Sequence, residues 1–248
     1  MCVTLPFKTI GCLLLLFSIP HPPAHAQQSP DSSSYDPATP LLGQYIYARL
    51  GADSRLYNGY EYIRNGTPAK GFPFFDSDSL LPGSLSYDGI LYQDIPMEYD
   101  LVQDELVIPD YTGKTLISLI SGKIDHFSIR THHFRYLEAE KTASALPKTG
   151  FYEVLYASGP ATLLARREKK LFFPSNRDDL ARYDQENFYF LQLGDRFYRV
   201  DGKDDLLEAL KDKKDALKKY IRDNKIRFSK QLEKALIQTT GYYLQISH

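Results

Sequence analysis

Apolar and polar residues alternate with a period of two along several segments of the chain, which is typical of β-strands whose two faces meet different environments. The clearest segment is IPMEYDLV (95–102), where Glu98 and Asp100 project from the polar face. The pairs Asp-Gly at 88–89 and Gly-Asp at 194–195 suit tight turns because these residues tolerate positive φ. These signals predict antiparallel strands joined by short turns.

The same pattern predicts strands along most of the chain. Their further ranges are 42–50, 105–108, 114–120, 123–130, 133–137, 150–157, 161–173, 188–193 and 196–200. Asp88 and Asp104 are predicted to lie at turns, and Asp94 to open a strand. Residues 175–183 are predicted to form a short helix, with Ser175 and Asp178 as its capping pair.

Two Asn-Gly pairs, at 58–59 and 65–66, are also typical of turns. The second pair continues into Thr67 and so matches a glycosylation sequon. Because Asn-Gly favours a turn and Pro68 follows directly, we interpret this stretch as a turn.

After Val200 the apolar residues recur every three to four positions, which indicates helices. Asp201 or Asp204 is predicted to cap the first helix, which starts near residue 203. A break is expected near 211–212, Asn224 is expected to end the helix, and a second helix is predicted over 230–243. The predicted fold is α+β: residues 41–248 form a single domain, an antiparallel meander (a curved sheet or a half-barrel) covered by a C-terminal helical pair.

The first 26 residues have the pattern of a signal peptide. Lys8 is their only charge, residues 9–19 are apolar, and Ala-His-Ala at 24–26 suits a signal peptidase. The apolar run is shorter than the about 20 residues that cross a membrane. We therefore expect export, cleavage before Gln27 and no transmembrane segment in the mature chain.

Cys12 raises the alternative of a lipoprotein, but the apolar stretch lies mostly after it, which favours a cleaved signal peptide. Cys2 and Cys12 are the only two cysteines, so cleavage would leave no disulfide, thiol nucleophile or cysteine-bound zinc. Residues 27–40 are rich in Ser and Pro and are predicted to be a flexible leader.

Charge is distributed unevenly along the chain. Residues 27–110 carry 13 acidic and 4 basic residues, whereas residues 111–248 carry 18 acidic and 25 basic residues. Such asymmetry can mark a charged binding face, although two solvated surfaces of different sign explain it as well. The chain has 19 Tyr and no Trp, which further favours β structure.

Four aspartates, Asp88, Asp94, Asp100 and Asp104, raise the question of a calcium site. An EF-hand loop needs acids at alternating positions and a glycine at the sixth. These aspartates are six, six and four residues apart, which does not fit that loop. We predict that they serve turns and strand edges and that they bind no metal.

Zinc would have to use the histidines. His126 lies on a predicted strand and His132 and His133 lie at the following turn, so two of them could meet across a hairpin; in the chain after cleavage only His248 remains besides. Their spacing does not match the ligand pair of a helix. We favour surface histidines, and predict neither a metal nor a cofactor.

Glu98 and Asp100 are the candidates for acid–base catalysis. Alternate residues of a strand lie about 7 Å apart, a distance that glycosidase carboxylates use. Exposed carboxylates on strands are nevertheless common. The sequence contains no nucleophile-elbow, zinc-protease or phosphate-loop motif, so we predict no catalytic residues.

Residues 211–230 form a basic segment with nine Lys and Arg and three Asp. This segment could contact anionic lipid headgroups or polysaccharide. The alternative is the solvated face of an amphipathic helix. Nucleic acid is not expected as a partner of an exported chain with near-neutral net charge.

Several segments together carry a family resemblance: LYNGYEY (56–62), GFPFF (71–75), GSLSYDGILYQDIPMEYDLVQDELVI (83–108), GFYEVLYASGPATLLARREKK (150–170) and the block from FYRV to KIRF (197–228). In this combination the chain resembles a family of exported bacteroidete proteins that has no established activity. The resemblance implies a cell-envelope setting and assigns no catalytic residues.

The leading hypothesis is a non-catalytic envelope protein, periplasmic, associated with the outer membrane or secreted, that binds a ligand or a protein partner. Aromatic residues on the strands could line a cavity, as in a half-barrel lipid carrier. One alternative is a hydrolase of envelope polymers that uses Glu98, Asp100 or the histidines. The other is a structural or assembly partner in the envelope.

Overall fold

The computed structural model describes residues 54–139, 146–159, 161–176 and 179–247. Twelve strands in these residues form one curved, open sheet that is mostly antiparallel, and helices follow at the C-terminus. The fold is therefore α+β, which confirms the prediction. The predicted signal peptide (1–26), leader (27–40) and first strand (42–50) lie outside the described residues, as do Asp178 and His248.

Most consecutive strands are neighbours in the sheet, as in a meander, but β1 pairs with β6 and β3 pairs with β7. Their bounds are β1 Gly59–Glu61, β2 Ala69–Lys70, β3 Leu81–Tyr87, β4 Ile90–Asp100, β5 Glu105–Pro109, β6 Leu116–Leu119, β7 Ile124–Ile129, β8 His132–Leu137, β9 Gly150–Ser158, β10 Ala161–Phe172, β11 Ala181–Leu193 and β12 Arg196–Arg199. Their order in the sheet is β1-β6-β5-β4-β3-β7-β8-β9-β10-β11-β12, and β2 pairs in parallel with β11.

The longest hairpin, β10–β11, overturns one local prediction. The prediction of a helix over 175–183 is wrong at its end, because β11 begins at Ala181 and pairs with β10 out to Phe172 and Arg182. Strand pairing of residues 181–183 outweighs the local helix signal there.

Aspartates occupy strained backbone positions at the turns of the sheet. Asp88 has φ 53° and Gly89 has φ 77° in the β3–β4 turn, and Asp104 has φ 62° between β4 and β5, which confirms both predicted turns. Asp94 has φ 55° but lies inside β4, where the register with β3 shifts. Asp94 therefore forms a β-bulge, and the prediction that it opens a strand is wrong.

Neither Asn-Gly pair forms the predicted turn. Asn65 Oδ1 accepts a hydrogen bond from the Thr67 backbone N–H at 3.0 Å, but residues 65–66 have no positive φ and no turn is assigned to them. Asn58 has φ −79° and Gly59 begins β1, so a positive-φ turn is wrong there. A Cβ on Gly59 would lie 2.4 Å from the Ser118 carbonyl oxygen, so glycine is needed for close strand approach rather than for a turn.

An aromatic cluster fills the first half of the sheet. Tyr99, Phe127, Phe134 and Phe151 are nearly inaccessible to solvent, and their ring centroids lie 4.7–5.6 Å apart. Most of these pairs are edge-to-face, the arrangement that the ring quadrupole favours. The alternating apolar residues of β4 thus point into a solid core.

The helices cover the second half of the sheet. They are α1 Lys203–Ala209, α2 Lys214–Asp223 and α3 Leu232–Ile246, with a 3-10 turn at Lys211–Lys213 where the break was predicted. Leu206 and Leu236 pack with Leu163 and Leu191 of the sheet in one buried cluster. This apolar contact explains the helical periodicity of the sequence after residue 200.

The ends of the helices agree in part with the sequence. Asn224 follows the last residue of α2, as predicted. The residue before α1 is Gly202, which makes no side-chain cap, so neither Asp201 nor Asp204 caps the helix. Asp205 instead accepts a hydrogen bond from the Asp201 backbone N–H at 2.9 Å, which closes the chain just before the helix.

Gly83 in β3 is a second point of close approach, and it generates a prediction. A Cβ there would lie 2.2 Å from the Ser128 carbonyl oxygen and 2.8 Å from Met97 Sδ. We expect Gly83→Ala to lower the free energy of unfolding by about 2 kcal/mol or more, because overpacking forces backbone shifts. Urea unfolding followed by circular dichroism measures this change.

Gly122→Ala is the matched control, since nothing lies within 4 Å of a Cβ at Gly122. Its free energy of unfolding should stay within about 0.5 kcal/mol of the wild-type value, as is usual for surface substitutions. Equal stability of the two variants would contradict the packing described at Gly83.

Candidate functional site

The aspartates of the turns have separate partners. Asp88 forms ion pairs with Arg55 (3.4 Å) and Lys123 (3.8 Å) at the surface. Asp104 accepts hydrogen bonds from the Tyr99 hydroxyl (2.6 Å) and from other groups described below. Within the described residues no group of three or more His, Cys, Asp or Glu side chains could hold a metal ion.

Glu98 and Asp100 are buried, so the expectation of exposed carboxylates is wrong. They are 2% and 1% exposed because residues 62–74 cover the polar face of β4. Glu98 Oε2 lies 2.5 Å from Arg64 Nη2, and Glu98 Oε1 has no hydrogen-bond partner among the described residues. Burial with a basic partner is an arrangement that the alternating pattern alone does not reveal.

Asp100 uses all of its hydrogen-bonding capacity to hold the β4–β5 turn. Its carboxylate accepts hydrogen bonds from the Tyr62 hydroxyl (2.6 Å), the Val102 and Gln103 backbone N–H groups (2.7 and 3.0 Å) and the Gln103 side-chain amide (3.1 Å). Burial, followed by the hydrogen bond to Asp100, raises the pKa of Tyr62. These hydrogen bonds give Asp100 a structural role, since they connect Tyr62 to the β4–β5 turn.

The three described histidines do not form a site together. His126 is paired with Arg135 across the β7–β8 hairpin and is exposed, so the suggested meeting of two histidines across this hairpin does not occur. His133 is also exposed. His132 Nδ1 lies 2.5 Å from Glu153 Oε1, and its ring contacts Phe75 edge-on.

Glu153 belongs to a buried polar network that sequence reasoning missed. Arg167 Nε donates to Glu153 Oε2 at 2.7 Å, and Arg167 Nη1 donates to Glu233 Oε2 of α3 at 2.6 Å. The Tyr189 hydroxyl also donates to Glu233, at 3.1 Å. The sequence did contain one signal for this network, the pair Arg166-Arg167 inside a predicted strand. Adjacent strand residues point to opposite faces, so at least one of the two arginines had to lie on the face that packs against the core.

The interface between helices and sheet is packed with side chains. Leu163, Leu206, Leu217 and Leu236 in this interface have no measurable solvent exposure. This packing of the described residues argues against the continuous apolar cavity that a lipid carrier would need under its helices.

A surface pocket between α1 and the end of α2 carries a strong positive charge. Its volume is about 400 Å³, and it is lined by Lys203, Asp204, Lys218, Ile221, Arg222, Lys225, Ile226 and Arg227. We call it the basic pocket. Five of its eight lining residues are basic and one is acidic, so the lining has a net charge of +4.

The cations of the basic pocket are poorly compensated. Arg222 pairs with Asp223 at 3.3 Å, whereas Lys203, Lys218, Lys225 and Arg227 form no ion pair with any described residue. Lys218 and Arg222 are four residues apart on α2, where like charges repel each other. A bound anion would relieve this repulsion.

The basic segment predicted from sequence (211–230) therefore contributes only part of its charge to the pocket. Lys211 and Lys219 do not line it, and Lys214 pairs with Glu208 at 3.2 Å. Lys203 does line it although it precedes the segment. Only the fold of α1 against α2 brings Lys203 to this place, so no sequence signal could have found it.

The described residues thus define an α+β protein with an open antiparallel sheet, a solid interior and a basic surface pocket. Comparison with protein-family models, with curated proteins and with solved structures finds no match. Among the described residues, no helix is both long enough and apolar enough to cross a membrane.

The buried network predicts a large effect of Arg167→Ala. Glu153 is 3% exposed, and loss of Arg167 would leave it as a buried carboxylate without its main partner. We expect the free energy of unfolding to fall by about 3–5 kcal/mol, the usual cost of breaking a buried ion pair. Urea unfolding at neutral pH measures this.

Arg199→Ala provides the control, because Arg199 forms an ion pair with Asp201 at 2.8 Å but both side chains are about half exposed. Its effect should stay below about 1 kcal/mol, as for other surface pairs. A loss of similar size in both variants would show that the network around Arg167 contributes no more than a surface contact.

Buried tyrosines predict a loss of stability at alkaline pH. Burial raises the pKa of Tyr152 and of Tyr189 to about 12 each, and the Glu233 charge adds to the effect at Tyr189. In the unfolded chain both ionise near pH 10. Their contribution to stability is therefore complete below pH 10 and is lost as the pH rises to about 12.

Unfolding free energies measured in urea at several pH values from 9 to 12 test this window. Tyr189→Phe removes one of the two groups, so its stability should fall less steeply with pH than that of the wild type. An identical slope in both proteins would show that Tyr189 ionises equally in the folded and unfolded chains.

Proposed function

We propose that the protein is an exported, non-catalytic binding protein of the cell envelope that holds the phosphate group of an envelope component in the basic pocket. The observation that carries the proposal is the net charge of +4 around one concave site of about 400 Å³. Lys and Arg are the side chains that bind phosphate, Arg by paired hydrogen bonds and Lys as a point charge.

The lining of the basic pocket supports an anion-binding site rather than the solvated face of an amphipathic helix. Ile221 is 8% exposed and lines the pocket together with the half-buried Ile226, so the cations surround an apolar surface. A low-dielectric surface strengthens the field of nearby charges. An anion would therefore be held more firmly here than on an open helix face.

The setting of the proposal comes from the N-terminal sequence. A single Lys8, an apolar run at 9–19 and the Ala-His-Ala site at 24–26 support export. The envelope offers two sources of phosphate, namely lipid headgroups and soluble phosphorylated molecules. The recognition chemistry is the same for both, and the experiment below separates them.

The geometry favours binding over hydrolysis. Asp100 accepts hydrogen bonds from Tyr62 and from the β4–β5 turn, and Glu98 is buried against Arg64. Both carboxylates have structural partners beneath the covering residues 62–74. Their arrangement supports a structural role in this part of the sheet.

Vesicle sedimentation tests the proposal with the full chain after removal of residues 1–26. We expect binding to vesicles of phosphatidylglycerol and phosphatidylcholine, and weaker binding to phosphatidylcholine alone. Calorimetry with inorganic pyrophosphate measures whether the pocket binds a soluble phosphate. Lys218→Gln with Arg222→Gln should weaken anion binding by about tenfold or more, since each basic residue near an anionic surface contributes about 1 kcal/mol.

Lys211→Gln with Lys219→Gln is the matched control, because it removes the same charge from the same segment outside the pocket. This variant should bind like the wild type. Equal losses in both double variants would mean a diffuse surface effect, and wild-type protein that binds neither anionic vesicles nor pyrophosphate would refute the proposal. Pyrophosphate binding without vesicle binding would assign the pocket to a soluble phosphate.

A further inference from the structure

A second site lies far from the helices in sequence, where residues 62–74 approach the end of the β10–β11 hairpin. Two adjoining cavities of about 240 and 220 Å³ open here, and Asn65, Pro73 and Tyr183 line both of them. We call them together the tyrosine crevice. Their joint size falls in the range of about 300–1,000 Å³ that is usual for small-ligand pockets.

Two of the charged groups around the tyrosine crevice have partners within the protein, whereas the exposed Asp78 of the second cavity forms no ion pair with any described residue. Arg64 pairs with Glu98 and lies 4.6 Å from the centre of the Phe74 ring. Asp100 has its four hydrogen bonds from Tyr62 and the adjacent turn. The site therefore differs from the basic pocket, because it has no cluster of unpaired cations.

Neutral hydrogen-bonding groups remain open, and intramolecular contacts hold two of them in place. Asn65 Oδ1 accepts from the Thr67 backbone, while its amide nitrogen has no partner among the described residues. Gln103 Nε2 donates to Asp100, while its amide oxygen has none among those residues. The Asn65 amide nitrogen is thus a fixed donor, and the Gln103 amide oxygen is a fixed acceptor.

Tyr183 supplies an aromatic wall in the cavity that these two amides also line. It lines both cavities and is partly exposed, and burial followed by the Asp100 charge raises its pKa, so its hydroxyl stays neutral. Leu171 and the exposed Ile63 extend the apolar lining of the first cavity. An aromatic face next to fixed amides can contact C–H groups and hydroxyls of one ligand at the same time.

We propose that the tyrosine crevice binds a neutral saccharide, with one sugar ring against Tyr183 and its hydroxyl groups at Asn65 and Gln103. A sugar ring has an apolar C–H face and a rim of hydroxyl groups that both donate and accept. That combination matches an aromatic wall with one fixed donor and one fixed acceptor. The inference is independent of anion binding in the basic pocket.

A peptide ligand fits the lining less well. An extended peptide gains affinity from main-chain hydrogen bonds to a free strand edge, with side-chain pockets as an addition. The groups identified in the crevice are side-chain amides and a phenol ring instead. A saccharide is therefore the ligand class that these residues favour.

Calorimetry and saturation-transfer NMR test the proposal. Both use the full chain after removal of residues 1–26, with hexasaccharides of glucose, mannose, galactose and N-acetylglucosamine. We expect binding of at least one of them. Tyr183→Ala should weaken this binding at least tenfold, and Asn65→Ala several-fold. Because Asn65 is exposed, its variant keeps the test decisive even where Tyr183→Ala fails to fold.

Tyr111→Ala is the matched control, since Tyr111 is 59% exposed and does not line the crevice. It should bind saccharide like the wild type, and Lys218→Gln with Arg222→Gln should do the same. Tyr183→Ala should leave vesicle binding unchanged. The proposal would be overturned if the wild type bound none of these saccharides at millimolar concentration, or if Tyr183→Ala bound them as well as the wild type does. Binding of an alanine-proline peptide at the crevice in place of a saccharide would also overturn it.

Discussion

Two adjacent arginines in β10 connect the parts of this protein. Neighbouring strand residues point to opposite faces. Arg166, 1% exposed, donates to Asp104 of the β4–β5 turn at 2.7 Å and to the Phe151 carbonyl at 3.0 Å. Arg167 binds Glu153 of β9 and Glu233 of α3. Buried charges are costly unless hydrogen bonds satisfy them, so these contacts hold the turn and the helix in fixed positions against one strand.

The described interior is closely packed, and the two sites proposed for ligands lie at the surface. The aromatic cluster around Tyr99 and the leucine cluster beneath the helices are closely packed, and the Arg167 network lies on the same strands. The basic pocket and the tyrosine crevice instead form where separate elements meet. The lining of the basic pocket is mostly cationic, whereas the lining of the crevice is mostly neutral, which is why we propose ligands of different chemistry for them.

Glu98 and Asp100 illustrate how tertiary contacts change the meaning of a local pattern. The alternation in 95–102 correctly assigned these two residues to one face of β4. That face is buried because residues 62–74 lie over it and supply Tyr62 and Arg64 as partners. A polar face of a strand is therefore not always a solvated one, since a covering segment can bring its own hydrogen-bonding groups.

The sequence by itself determined most strands from β4 onward, the C-terminal helices, the Asp88 and Asp104 turns and the end of α2 at Asn224. These features depend on side-chain periodicity and on backbone sterics over a few residues. Tertiary structure alone decided the strand start at Ala181, the burial of Glu98 and Asp100, and the approach of Lys203 to α2. Each of these depends on desolvation or pairing between residues far apart in the chain, which no local pattern records.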